Sequence, residues 1–219
     1  MSKTKRSKIN KDQKAMSPES KVKSNSSVKK PPFWFKIVLV LIPIVFIILL
    51  EFSLRILGYG KDYSQWVEIA PGQLVLNPDV AYRYFHSTKG IPYSNQNSFY
   101  AEKPANTFRI FIMGGSSAAG YPYTPNGDFG LYIKKKLEIL YTNYNIEVIN
   151  VALTATNSYT IRDLLPGVIE QKPDLILFYA GHNEYYGAYG VGSMESIGQS
   201  RTVVNFILSL EKFKTFNLL

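Results

Sequence analysis

The stretch Phe108-Arg-Ile-Phe-Ile-Met-Gly-Gly-Ser-Ser-Ala-Ala-Gly120 constrains the fold more than any other part of the chain. A short apolar, β-branched run gives way to two glycines, two serines and then small residues. A buried strand that ends in a sharp turn reads this way. The turn presents a serine hydroxyl at the strand's carboxyl end, where open parallel sheets place their chemistry. Further on, Pro173-Asp-Leu-Ile-Leu-Phe-Tyr-Ala-Gly-His-Asn-Glu184 repeats the plan, an apolar strand opening into a polar loop with an asparagine.

Between and after these blocks the period is clear. Residues 108–113 read as a strand. Phe129, Ile133, Leu137 and Leu140 recur at helical spacing behind Asp128, a candidate N-cap, so a helix is predicted over 128–141. Residues 146–151 read as a second strand. Ile161, Leu164, Leu165, Val168 and Ile169 predict a second helix that starts at Ser158 or Thr160 and that Pro166 should kink or shorten. Residues 174–179 read as a third strand, buried on both faces, and 203–213 as a last helix. Strand–helix–strand–helix–strand predicts parallel strands joined by right-handed crossovers, an α/β domain over 107–219. Residues 58–106 show frequent aromatics, Pro and Gly but no period. They are expected to be an irregular connecting region of extended segments and loops, packing on the sheet edge.

The front of the chain has a different character. Ten of the 25 Lys and Arg residues fall in residues 1–30 against Asp12 and Glu19, leaving 15 basic and 14 acidic residues for the rest. A basic tail on a neutral body argues against a nucleic-acid partner, which would call for a basic face on the folded part. Residues 1–32 carry too little apolar surface to form a core and are expected to be disordered. From Ile37 to Leu50 no residue is charged, and only Lys36 separates that run from Phe33-Trp34-Phe35. As a helix, Phe33 to Leu50 would span about 27 Å, close to the hydrocarbon thickness of a bilayer.

Residues 33–57 are therefore expected to be a transmembrane signal anchor, with the lipid bilayer as its partner. Pro43 is a possible kink, and Glu51 and Arg55 are placed to pair near the far interface. The alternative, a cleaved signal peptide, is disfavoured by the long polar leader and by the lack of an Ala-x-Ala-like site after Leu50. The positive charges ahead of the span predict a cytoplasmic N-terminus and a periplasmic or otherwise extracytoplasmic domain. Cysteine is absent, which excludes disulfides, thiol nucleophiles and thiolate metal sites.

The two strand–loop blocks resemble those of the SGNH (GDSL-like) hydrolases. Gly114-Gly115-Ser116 stands at the Gly-Asp-Ser block, and Gly181-His182-Asn183-Glu184 at the Gly-x-Asn-Asp block. The resemblance covers about residues 108–187 and implies a flavodoxin-like, three-layer parallel sheet of about five strands, more than the three found by period. It also implies an esterase or O-acyl transferase with Ser116 as nucleophile. The oxyanion hole would be formed by the Ser116 N–H, the N–H of Ala155 (at the family's glycine position) and the Asn183 side chain. Gly115 and Glu184 stand where the family has aspartates. The junction Glu51-Phe-Ser-Leu-Arg-Ile-Leu-Gly-Tyr59 resembles that of anchored bacterial envelope proteins, which implies acylated polysaccharide or lipid substrates.

The family's Asp-x-x-His lies downstream of its third block, and none occurs here. The histidines are His86, before the first strand, and His182, beside Asn183. Three expectations remain open: an active hydrolase, a non-catalytic envelope binding or scaffold domain, or the front part of a longer enzyme completed by a downstream domain or partner. No cofactor is expected. Tyr121-Pro122 stands where a phosphate-binding loop requires Lys and Ser/Thr, and His182 with Glu184 lacks a third metal ligand.

Overall fold

The computed structural model describes residues 32–60, 63–85, 91–190, 192–193 and 200–218. The expected disordered tail lies outside them, Pro32 apart, and His86 lies outside them entirely. The chain divides into two compact units, Met1–Pro43 and Ile44–Leu219.

Helix α1, Phe33–Ile56, contains Pro43 and is long and apolar enough to cross a membrane, a property that a signal sequence shares. Its apolar side chains are exposed on all sides, and Leu54 is buried. The expected Glu51–Arg55 pair forms at 2.7 Å. The same carboxylate accepts from Lys214 N–H at 3.2 Å, Thr215 N–H at 2.8 Å and the Thr215 hydroxyl at 3.0 Å.

A three-stranded parallel sheet, in the order β5-β4-β6, is built from β4 (Thr107–Gly114), β5 (Asn145–Asn150) and β6 (Leu175–Tyr179). Between β4 and β5 come a four-residue helix α2 (Ser116–Ala119) and α3 (Phe129–Leu140). Between β5 and β6 comes α4 (Ser158–Ile169), and α5 (Arg201–Leu210) follows β6. Asp128 caps α3 as its sequence suggests, accepting from Gly130 N–H at 2.7 Å. The cap of α4 is Asn157, one residue ahead of the expected start, and its side chain accepts from Tyr159 N–H at 3.1 Å. Pro166 does not cut α4 short: the helix runs to Ile169. Proline forfeits its own N–H bond and crowds the carbonyl one turn back, and packing of Leu164 and Val168 into the core offsets that cost.

Alternation along β4 divides the core. Phe111 and Met113 face one layer and Ile110 and Ile112 the other. The first layer is closed by Leu164 and Val168 of α4, Val204 and Leu208 of α5, and residues of the region before β4. That region is more ordered than its sequence suggests. Strands β1 (Trp66–Ala70) and β2 (Gln73–Leu76) form an antiparallel hairpin around Pro71-Gly72, and β3 (Phe99–Tyr100) joins β2. Instead of packing on the sheet edge, this small sheet covers a face. Trp66, Phe99 and Phe111 meet edge to face, with ring centroids 5.1–5.9 Å apart, and the Trp66 indole donates to Gly167 O at 3.1 Å.

Buried Arg109 ties the layers together at the lower end of β4. It donates to Glu147 at 2.6 Å, Tyr100 O at 2.7 Å and Gln171 O at 2.8 Å. The charge is tolerated because its donors are satisfied on several sides.

The second layer is covered by α3, through Phe129, Ile133 and Leu137, with Ala118 and Ala119 of α2 beside it. The expectation that the third strand is buried on both faces is corrected here. Leu175, Phe178 and Tyr179 of β6 are 41%, 55% and 48% exposed. An apolar run shows that a strand suits two covered faces, but among the described residues β6 is the edge strand of this sheet and has no neighbour on its outer side. A groove of about 600 Å³ lies along α3 and β6, walled by Phe108, Ile110, Ile133, Leu137, Leu175 and Leu177 among others.

Candidate functional site

The three parallel strands end close together. Val151 N–H donates to Ile112 O at 2.9 Å and Leu153 N–H to Gly114 O at 3.2 Å, while Gly114 pairs in register with Tyr179. The turn after β4, the 151–157 loop after β5 and the 180–190 loop after β6 therefore converge on one end of the sheet.

The turn requires its glycines for reasons of space. A Cβ on Gly114 would collide with Tyr179 O and the Ala118 side chain, and one on Gly115 would stand 2.9 Å from Asn183 Nδ2. An aspartate at 115, as in the family's motif, would displace the asparagine amide in this arrangement. Gly115 is the extended N-cap residue of α2, so Ser116 begins that helix. The Ser116 side chain is half-buried, and neither its hydroxyl nor its N–H bonds to another described residue.

Asn183 Nδ2 donates to Thr156 O at 3.1 Å, and Thr156 O would lie 3.6 Å from a Gly115 Cβ. The Gly115–Ser116 turn, the 155–156 segment and the Asn183 amide thus form one cluster. Ala155 has a left-handed backbone, φ 54°, the conformation a glycine adopts without strain and an alanine at a cost of about 1–2 kcal/mol. Its N–H has no partner among the described residues, and its carbonyl accepts from Ala188 N–H at 3.0 Å. The structure therefore brings Ser116, Ala155 and Asn183 together.

Further side chains support the cluster. The four-residue α2 cannot satisfy its own carbonyls. Asn150 Nδ2 donates to Ala118 O at 2.7 Å, and Asn95 Nδ2 to Ala119 O at 3.1 Å. Asn97 Oδ1 accepts from Asn150 N–H at 3.1 Å, joining the 95–97 segment to the end of β5. Burial pushes the Asp128 carboxyl above its ordinary value, against the opposing pull of Gly130 N–H and the Asn150 side chain. Glu184 binds the start of α4, its two oxygens accepting from Ser158 N–H at 3.0 Å and the Ser158 hydroxyl at 2.7 Å. Next to Asn183 in the chain, it fixes the 180–190 loop to the helix. The sequence signal for these residues was slight: a single asparagine closing an apolar strand at 150, and a glutamate where the family has an aspartate.

Among the described residues no histidine bonds to Ser116. His182 is exposed, its ring edge-on to Tyr179 at 5.7 Å, and it meets no carboxylate among the described residues. Among the described residues no group of three His, Cys, Asp or Glu side chains could hold a metal ion. The arrangement can present a hydroxyl and hydrogen-bond donors to an oxyanion. Compared with family models, curated proteins and solved structures, the chain matches none.

Proposed function

We propose that this chain carries the nucleophile and oxyanion hole of an SGNH-type serine hydrolase or O-acyl transferase acting on esters, anchored in a membrane by residues 33–57. Ser116 attacks the ester carbonyl. The N–H groups of Ser116 and Ala155 and the amide of Asn183 hold the developing oxyanion. The observation that carries this reading is the convergence of the Gly115–Ser116 turn, the 155–156 segment and Asn183 at the carboxyl end of the sheet. Two backbone donors there have no partner among the described residues.

The general base comes from outside the described residues. Tyr121, Tyr123, Tyr185 and Tyr186 are exposed on the loops after β4 and β6 and favour acylated polysaccharide or lipid as substrate, because flat aromatic faces suit sugar rings and acyl chains. The N-terminus lies in the cytoplasm and the domain outside it.

The test is turnover of a chromogenic acyl ester, with labelling by a serine-directed phosphonate, for the wild type and Ser116→Ala. We expect phosphonate labelling that the substitution abolishes, with weak turnover, since a site without its base keeps only the oxyanion hole's share of the rate enhancement. Equal rates and equal labelling would remove the catalytic assignment. The second reading, a non-catalytic envelope binding domain, is favoured by one observation: no histidine–carboxylate pair occurs among the described residues.

A further inference from the structure

A second cavity, of about 210 Å³, lies where α1 meets the folded body, far along the chain from the Ser116 turn. Its wall includes Arg55, Arg83, Lys212, Lys214, Glu211 and Asn217. We propose that it binds the phosphodiester headgroup of a phospholipid. Three features converge.

The first is place. Arg55 stands five residues beyond Leu50, the end of the uncharged run, or about 7 Å along the helix, a depth that falls in the headgroup layer.

The second is charge. Four cationic side chains and one carboxylate line the cavity, and two carboxylates stand behind them. Arg55 pairs with Glu51 at 2.7 Å, and Asp163 meets Arg83 at 3.2 Å and Lys212 at 3.8 Å. Cationic side chains thus outnumber carboxylates in the wall itself, which suits the negative charge of a phosphodiester. The carboxylates also hold the guanidinium groups in place, so their remaining N–H donors are oriented before an anion arrives.

The third is the apolar rim. Phe52, Ile56, Leu57 and Tyr59 are exposed at the end of α1, and Phe213 and Leu218 are exposed among the basic residues of the 212–218 segment. Apolar and basic side chains interleaved in this way suit the boundary between headgroups and acyl chains, and a free anion would have no use for the apolar ones.

The inference rests on α1 being a membrane anchor and not on the chemistry at Ser116. Alkaline extraction of membranes tests the anchor separately. The experiment uses the full chain in neutral detergent and follows its thermal midpoint with added phosphatidylglycerol, diacylglycerol or sodium phosphate. Phosphatidylglycerol is expected to raise the midpoint, while diacylglycerol and inorganic phosphate at equal concentration leave it unchanged. Lys212→Gln, at an exposed residue with one weak ion pair, should raise the lipid concentration needed about fivefold. Lys214→Gln serves if the first variant folds poorly. Equal shifts with diacylglycerol, equal shifts with inorganic phosphate, or variants that respond like the wild type would each overturn the proposal.

Discussion

The two faces of the parallel sheet are built from the same strands and end very differently. On one side Phe111 and Met113 are covered by α4, α5 and the small antiparallel sheet, and exposure begins only towards the end of β6, at Phe178. On the other, α3 covers Ile110, Ile112 and Val148, but the ground beyond it, over β6, is an open apolar groove. Parallel strands are ordinarily covered on both faces. The contrast shows that apolar alternation makes both faces fit for burial, whereas the elements that happen to cross each face decide which one is buried. The stability of this domain should therefore be concentrated on the closed side.

Three experiments break or sharpen that contrast, all read by chemical or thermal unfolding of the full chain. The largest effect is expected at Phe111, fully buried between Trp66 and Phe99. Phe111→Ala should cost about 3–5 kcal/mol, while Leu175→Ser, on the open groove, should stay within about 0.5 kcal/mol. Similar losses at the two positions would mean that the groove is not open in solution.

The second experiment tests Asp128, which caps α3 on the open side. Asp128→Ala should cost about 1 kcal/mol through the lost cap, and Asp128→Asn should retain the cap. The carboxyl's raised value sets the sign of the pH dependence, since the folded state holds this proton more tightly than the unfolded chain. Asp128 therefore favours folding most in acid, and its contribution falls as pH rises from the ordinary carboxylate range through the raised one. Asp128→Asn should gain on the wild type over that interval and keep its advantage at neutral pH; a flat difference would show that the carboxylate is not desolvated.

The smallest effect is expected at Ala155, above both faces. Glycine there relieves about 1–2 kcal/mol of left-handed strain and loses about 0.5–1 kcal/mol through a freer unfolded chain. Ala155→Gly should thus be more stable by about 0.5 kcal/mol, and a loss of stability would mean that the φ of 54° is not kept in solution.

The parts legible in the sequence share a physical trait. Strand β4, helix α3 with its Asp128 cap and helix α4 all carry a repeating period or a capping residue next to one. The small antiparallel sheet was missed because its strands are five, four and two residues long, too short for alternation to emerge. The Pro71-Gly72 turn was the usable clue. At the site, residues 116, 155 and 183 could be aligned with known blocks, and they lie together in space. Asn95, Asn97 and Asn150, which hold α2 in place, belong to no period, and their pairing joins segments more than 20 residues apart. Such contacts become visible only when the chain is folded.

The Glu51 carboxylate also bears on the order of folding. Its contacts with Lys214 and Thr215 close a separation of 163 and 164 residues. For an unstructured chain that closure would carry a large entropic cost, but once the intervening sheet has formed the two partners already stand near each other. The clasp is therefore a late contact, made when the rest of the domain is in place and the first to open under local unfolding. Exchange of the Thr215 amide hydrogen would report whether the domain has finished folding onto its helix.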